Sequence, residues 1–180
     1  MPTKTPSKNV PANSSRSNSA PDAIELLESD HREVEALFEK FESARNDATK
    51  RKIAEDVCNA LAVHAQVEEE IFYPACREAG VDSDLMNEAA VEHASAKELI
   101  AQILGGSGDE MWEAKVIVLS EQIEHHVEEE EGEMFVKARK AGLDSAKLGQ
   151  RMAARKAELQ ASVATSPSKP AASPRATKAK

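Results

Sequence analysis

Four histidines and two glutamates have the residue types and spacing to do chemistry. His64 and Glu68 are four residues apart, as are His126 and Glu130, and on a helix residues four apart share a face. His31 lies 33 residues before His64, and His93 lies 33 residues before His126. Imidazole and carboxylate without thiolate suit iron, manganese or zinc rather than soft metals. Two carboxylates can bridge two metals that each take two histidines. Octahedral iron held this way keeps places free for water, a bridging oxide or dioxygen. An unsaturated site points to reaction or ligand binding rather than to structure alone.

A lone core histidine is usually just a satisfied core residue, and a single His-x-x-x-Glu is usually an exposed polar pair. Here the four positions recur with equal spacing, which favours metal binding. His125 stands about 100° around the helix from His126, so it is expected behind the donors or in solvent. Glu69 and Glu131 follow the two glutamates directly and are candidates to orient the donors. Glu70, Glu128 and Glu129 read as solvated. Tyr73 is read as capping the core, with a place near the site as the alternative, and Trp112 as a core plug.

Positioning six such groups requires helices, and the chain repeats itself to supply them. His64-Ala-Gln-Val-Glu68 matches His126-Val-Glu-Glu-Glu130 at an offset of 62 residues. Arg77-Glu78-Ala79-Gly80 matches Arg139-Lys140-Ala141-Gly142, and Val81-Asp82-Ser83 matches Leu143-Asp144-Ser145. Apolar periodicity predicts helices over about 21–45, 47–79, 83 to the glycines at 105–106, 109 to 141, and 145–162. Ser19 and Asp22 suit a capping box for the first, and Pro74 is expected to kink the second. The core stripes run Leu61, His64, Glu68, Ile71 in the second helix and Leu119, Ile123, His126, Glu130, Met134 in the fourth. His31 interrupts the stripe between Leu27 and Val34, and His93 does so between Ala89 and Ala96. Short connections make the helices antiparallel, so the expected fold is all-α. It is an up-down-up-down four-helix bundle over 21–142 with a short additional helix over 143–163. One repeat after His93 the chain has Arg155, so the fifth helix is expected to carry no metal function.

The flanks differ from this body. Residues 1–20 and 164–180 are basic, without acids and rich in Ser and Pro, so both are expected to be disordered. All 32 acidic residues lie between them, and an acidic body is not a nucleic-acid surface. No apolar run reaches the roughly 18 residues of a membrane span, and no secretory signal is evident. Cys58 and Cys76 sit 18 residues apart on one predicted helix, roughly 27 Å at 1.5 Å per residue, too far for a disulfide. The expected compartment is the cytoplasm.

The stretches HAQVEEEIFYPA (64–75) and HHVEEEEGEMF (125–135), with His31 and His93 ahead of them, resemble the hemerythrin-like (HHE cation-binding) family. That resemblance implies a non-haem pair of iron ions, oxo- or hydroxo-bridged. Its ligands would be His31, His64, Glu68, His93, His126 and Glu130, and its partner dioxygen, peroxide or nitric oxide. Oxygen carriers of the family have a second histidine four places after the one on the third helix. Here Lys97 stands there, and Glu131 stands where they have an aspartate, which weighs against reversible oxygen carriage. Two other classes compete. One is an oxidoreductase, peroxidase or iron-storage protein, and the other is a regulatory interaction protein with a structural metal. The Glu-x-x-His of ferritin-like sites occurs only at Glu28-Ser-Asp-His31, which makes an iron-storage site of that kind the weaker reading.

Overall fold

A computed structural model describes residues 21–106 and 110–165. Among these the chain forms five helical rods. Helix α1 is Ala23–Ser43. Helix α2 begins as Asp47–Val67, widens into a π turn over Glu68–Phe72 and resumes as Tyr73–Glu78. Helix α3 is Ser83–Gly105. Helix α4 is Trp112–Glu129, with a π turn over Glu130–Met134 and a last segment Phe135–Lys140. Helix α5 is Ala146–Thr165. The rods α1 and α2 pack as one hairpin and α3 and α4 as another, while α5 lies across α1 and α2.

The caps follow from local chemistry. Asn46 accepts from the Thr49 N–H at the start of α2, and Asp82 accepts from the Asp84 N–H at the start of α3. Helix α1 is capped otherwise than predicted. Asp22 is its N-cap residue but makes no side-chain bond, and Ser19 lies outside the described residues. The bond comes instead from Asp144 beyond α4, whose Oδ1 accepts from the Ile24 N–H at 3.4 Å. The predicted start of α4 at 109 also lies outside the described residues, as do 1–20 and 166–180 of the predicted flanks, while 164–165, expected to be disordered, continue α5. Helix α5 runs to Thr165, three residues past its predicted end. Gly80 and Gly142 hold the same left-handed turn, φ +77° and +79°. The next residue's N–H bonds back to Cys76 in the first case and to Ala138 in the second. The repeat thus extends to the stop signals.

Both π turns begin at the repeat glutamates. The Tyr73 N–H reaches the Glu68 carbonyl and the Phe135 N–H reaches the Glu130 carbonyl, five residues back instead of four. One extra residue rotates the following stripe by about 100°. The core takes Phe72, four residues after Glu68, and Cys76, both fully buried, and leaves the predicted Ile71 only partly covered. Pro74 falls in the first turn of the resumed helix, where its missing N–H is tolerated. Helix α4 has the same widening without a proline, so Pro74 is not its cause.

The apolar core has two layers. Val34, Phe41, Val57, Leu61, Ile103, Trp112 and Leu119 make one. Trp112 plugs it, edge-on to Phe41 with the Arg51 guanidinium over its face. Ile24, Leu27, Phe72, Met86, Phe135 and Met152 anchor the other. The buried polar residues Asp30, His31, His64, Glu68, His93, His126 and Glu130 are in neither.

Candidate metal centre

The six sequence-predicted residues come from four helices to one place. His31 rises from α1, His64 and Glu68 from α2, His93 from α3, and His126 and Glu130 from α4. Their Nε2 atoms face inward as two pairs, His31 with His64 and His93 with His126, each 3.2 Å apart. Each carboxylate touches both pairs. Glu68 Oε2 lies 3.2 Å from His64 Nε2 and 3.4 Å from His93 Nε2. Glu130 Oε2 lies 3.4 Å from His31 Nε2 and 3.6 Å from His126 Nε2.

Both glutamates are essentially without solvent contact, and Glu68 Oε1, Glu68 Oε2 and Glu130 Oε2 have no hydrogen-bond partner. An ionised carboxylate taken out of water costs several kcal/mol unless a cation compensates it. The donor set fits a cation with two adjacent positions, one among His31, His64, Glu68 and Glu130 and one among Glu68, His93 and His126. In the metal-free protein the surrounding acids favour charge on His64 and His126. Burial alone would lower His64, but Glu68 beside it and Asp30 behind it push it up to about 10. His126 moves up for the same reasons, against burial, through Glu92 and Glu130.

Every inward histidine is held from behind by an acid. His31 Nδ1–H donates to Glu131 at 2.8 Å, His93 to Glu69 at 3.0 Å and His126 to Glu92 at 2.6 Å. His64 Nδ1 reaches Asp30 at 3.5 Å. An ionised carboxylate only accepts, so a proton stays on Nδ1, and Nε2 is the nitrogen that gives up its proton to present a lone pair to a metal. Three of these acids carry a cation in turn: Glu131 has Arg32, Glu69 has Lys97 and Asp30 has Lys156. Burial raises Asp30, yet the bonds from His64 and Lys156 hold it below its ordinary value.

Glu69 and Glu131 play the orienting part expected of them. Sequence reasoning missed Asp30 and Glu92, although both directly precede a donor histidine and stand one repeat apart. The fifth helix supplies none of the grouped donors, but its Lys156 reaches the acid behind His64. Tyr73 does more than cap the core, since its hydroxyl donates to Glu130 Oε1 at 2.8 Å. Burial and the nearby Glu68 and Glu130 hold that phenol well above its usual pKa, hence neutral. His125 points away from the donors and pairs with Glu129 at the surface. Glu28 of the ferritin-like spacing pairs with Arg139, away from the donors.

A cavity of about 20 Å³ abuts all four histidines and is otherwise lined mainly by apolar groups, Val34, Leu61, Ala96, Ile100 and Ile123 among them. That is room for a water-sized or diatomic guest. A groove of about 390 Å³ between α1 and α4 opens onto His31 and Glu131.

Fold and site together define an all-helical bundle with buried His/Glu groups able to hold metal cations. The chain belongs to the hemerythrin HHE cation-binding domain family, whose pattern it matches over residues 22–138. Its fold is similar to the crystal structure of a hemerythrin HHE cation-binding domain-containing protein from Mycobacterium kansasii. The TM-score is 0.67 at 24% identity, covering 79% of this chain and 90% of that one. No curated protein matches the sequence. Among the described residues no helix is long and apolar enough to cross a membrane.

Proposed function

We propose that this chain is a non-haem di-iron protein that binds, senses or reacts with dioxygen, peroxide or nitric oxide. His31 and His64 would hold one iron, His93 and His126 the other, and Glu68 and Glu130 would join them. The observation that carries this reading is the pair of buried carboxylates, each touching one histidine of both pairs, with three oxygens unpartnered. A single metal needs only one of the two sets. Donors of nitrogen and oxygen suit iron, and such a metal supplies redox chemistry toward small oxidants. The chain's own residues do the rest. The acids behind the imidazoles fix their tautomer and aim. The two apolar layers restrict water. The small cavity selects for size, which favours a diatomic or similar ligand over an organic substrate. A cytoplasmic location belongs to the same proposal and is supported by the two free cysteines, Cys58 and Cys76.

The test is elemental analysis and an absorption spectrum of protein produced with iron, before and after reduction and return to air. Two irons per chain, with a near-ultraviolet absorption that bleaches on reduction and returns in air, are expected. A stoichiometric colourless metal with no response to air would overturn the oxidant reading and leave a structural metal.

A further inference from the structure

Among the differences between the two halves of the centre is one hydroxyl that touches a site carboxylate. Tyr73 and Phe135 occupy equivalent places in the repeat, each five residues after a site glutamate and each the first residue beyond a π turn. Both rings lie against a donor histidine. Phe135 stacks on His31 with centroids 5.7 Å apart and planes 8° apart, and Tyr73 packs on His93 at 5.6 Å and 30°. Only Tyr73 carries a donor. Its hydroxyl takes Glu130 Oε1 at 2.8 Å and lies 3.4 Å from His93 Nε2, on the His93–His126 side of the site. Glu68 receives no such bond, and both of its oxygens are unpartnered. Glu130 keeps one unpartnered oxygen, Oε2, which lies nearer His31 than His126.

We propose that Tyr73 is a positioning residue that makes the two metal positions inequivalent, the His93–His126 position being the more weakly held. The inference rests on the two-metal reading above. A carboxylate oxygen that accepts a hydrogen bond from a phenol gives less electron density to a metal. Glu130 Oε1 is therefore a poorer donor on the side where the phenol sits, while Glu68 remains free to serve both positions. The buried hydroxyl also fixes the rotation of the Glu130 carboxylate, and Phe135 offers Glu68 no equivalent restraint. Interactions of this kind behind a ligand change metal affinity about 10- to 100-fold.

The experiment loads the full chain with iron-57, counts iron, records Mössbauer spectra and follows iron release to a chelator. It compares the unaltered protein with Tyr73→Phe and, separately, with Phe135→Tyr, which by the repeat adds the missing hydroxyl opposite Glu68. The unaltered protein is expected to show two distinct iron environments and two release phases about 10- to 100-fold apart. In both variants the two environments and the two release rates should draw closer together, at an unchanged two irons per chain. Fewer than two irons in the unaltered protein overturns the two-metal reading and this inference with it. Two irons with spectra and release unaffected by Tyr73→Phe overturn this inference alone. Should Phe135→Tyr fail to fold, Tyr73→Phe decides by itself, since it removes one atom and leaves the ring.

Discussion

Glu68 is fully buried with both oxygens unpartnered, so Glu68→Ala should abolish binding of two metals per chain, whereas His125→Ala, at the surface, should leave it intact. Metal per chain by elemental analysis separates the two, and full loading of Glu68→Ala would contradict the assignment. Glu92→Gln keeps the shape but removes the charge that holds His126, so metal affinity should fall about 10- to 100-fold in a competition titration. The pH dependence has a definite sign. His64 is raised from 6.5 to about 10 in the metal-free fold. The stability this contributes is fully present below 6.5 and is lost as the pH rises through 10. Denaturant midpoints of metal-free protein should therefore fall across that span, while those of metal-loaded protein should not. The six candidate donors, which the fold brings together, stand out in the sequence because polar and charged residues set in apolar stripes, repeated at one spacing, are costly to bury without a cation to share. Asp30 and Glu92 were not, because an acid next to a buried histidine reads as solvated until the neighbouring helix is placed.

Among the elements, the π turns and α5 are what periodicity could not supply. Periodicity places both Ile71 and Phe72 near the Glu68 face, and packing selects Phe72, while only the hydrogen-bond pattern reveals the extra residue of each π turn. Lys156 was equally hidden, since no repeat relates α5 to the site and its reach to Asp30 depends on how the helix crosses α1. That crossing is tight at Gly149, where an added Cβ would lie 2.1 Å from the Pro21 carbonyl oxygen. Backbone on both sides cannot yield as a flexible side chain would. Gly149→Ala should thus cost about 1–3 kcal/mol in equilibrium denaturation. An unchanged midpoint would show that α5 docks otherwise. Gly142→Ala is destabilising for a different reason, since φ there is +79° with nothing within 4 Å to clash. Its cost of about 1–2 kcal/mol is pure backbone strain.

At the scale of the whole molecule, the bundle is two copies of one hairpin facing each other across a polar belt between two apolar layers. That arrangement explains why the site needs every rod from α1 to α4 and why the repeat foretold it. The short connections gave the antiparallel order directly, because a few residues cannot carry the chain to the far end of a long helix. It also ties folding to metal. Ligands from four helices cannot assemble in the unfolded chain, so metal at a thousandfold excess over its dissociation constant stabilises the native state by about 4 kcal/mol. The most direct test of the six-residue, two-metal centre is anomalous diffraction from crystals of the iron-loaded protein. Two iron peaks about 3.5 Å apart are predicted, one against His31 and His64 and one against His93 and His126, with Glu68 and Glu130 between them. A single peak, or iron bound away from these residues, would contradict it.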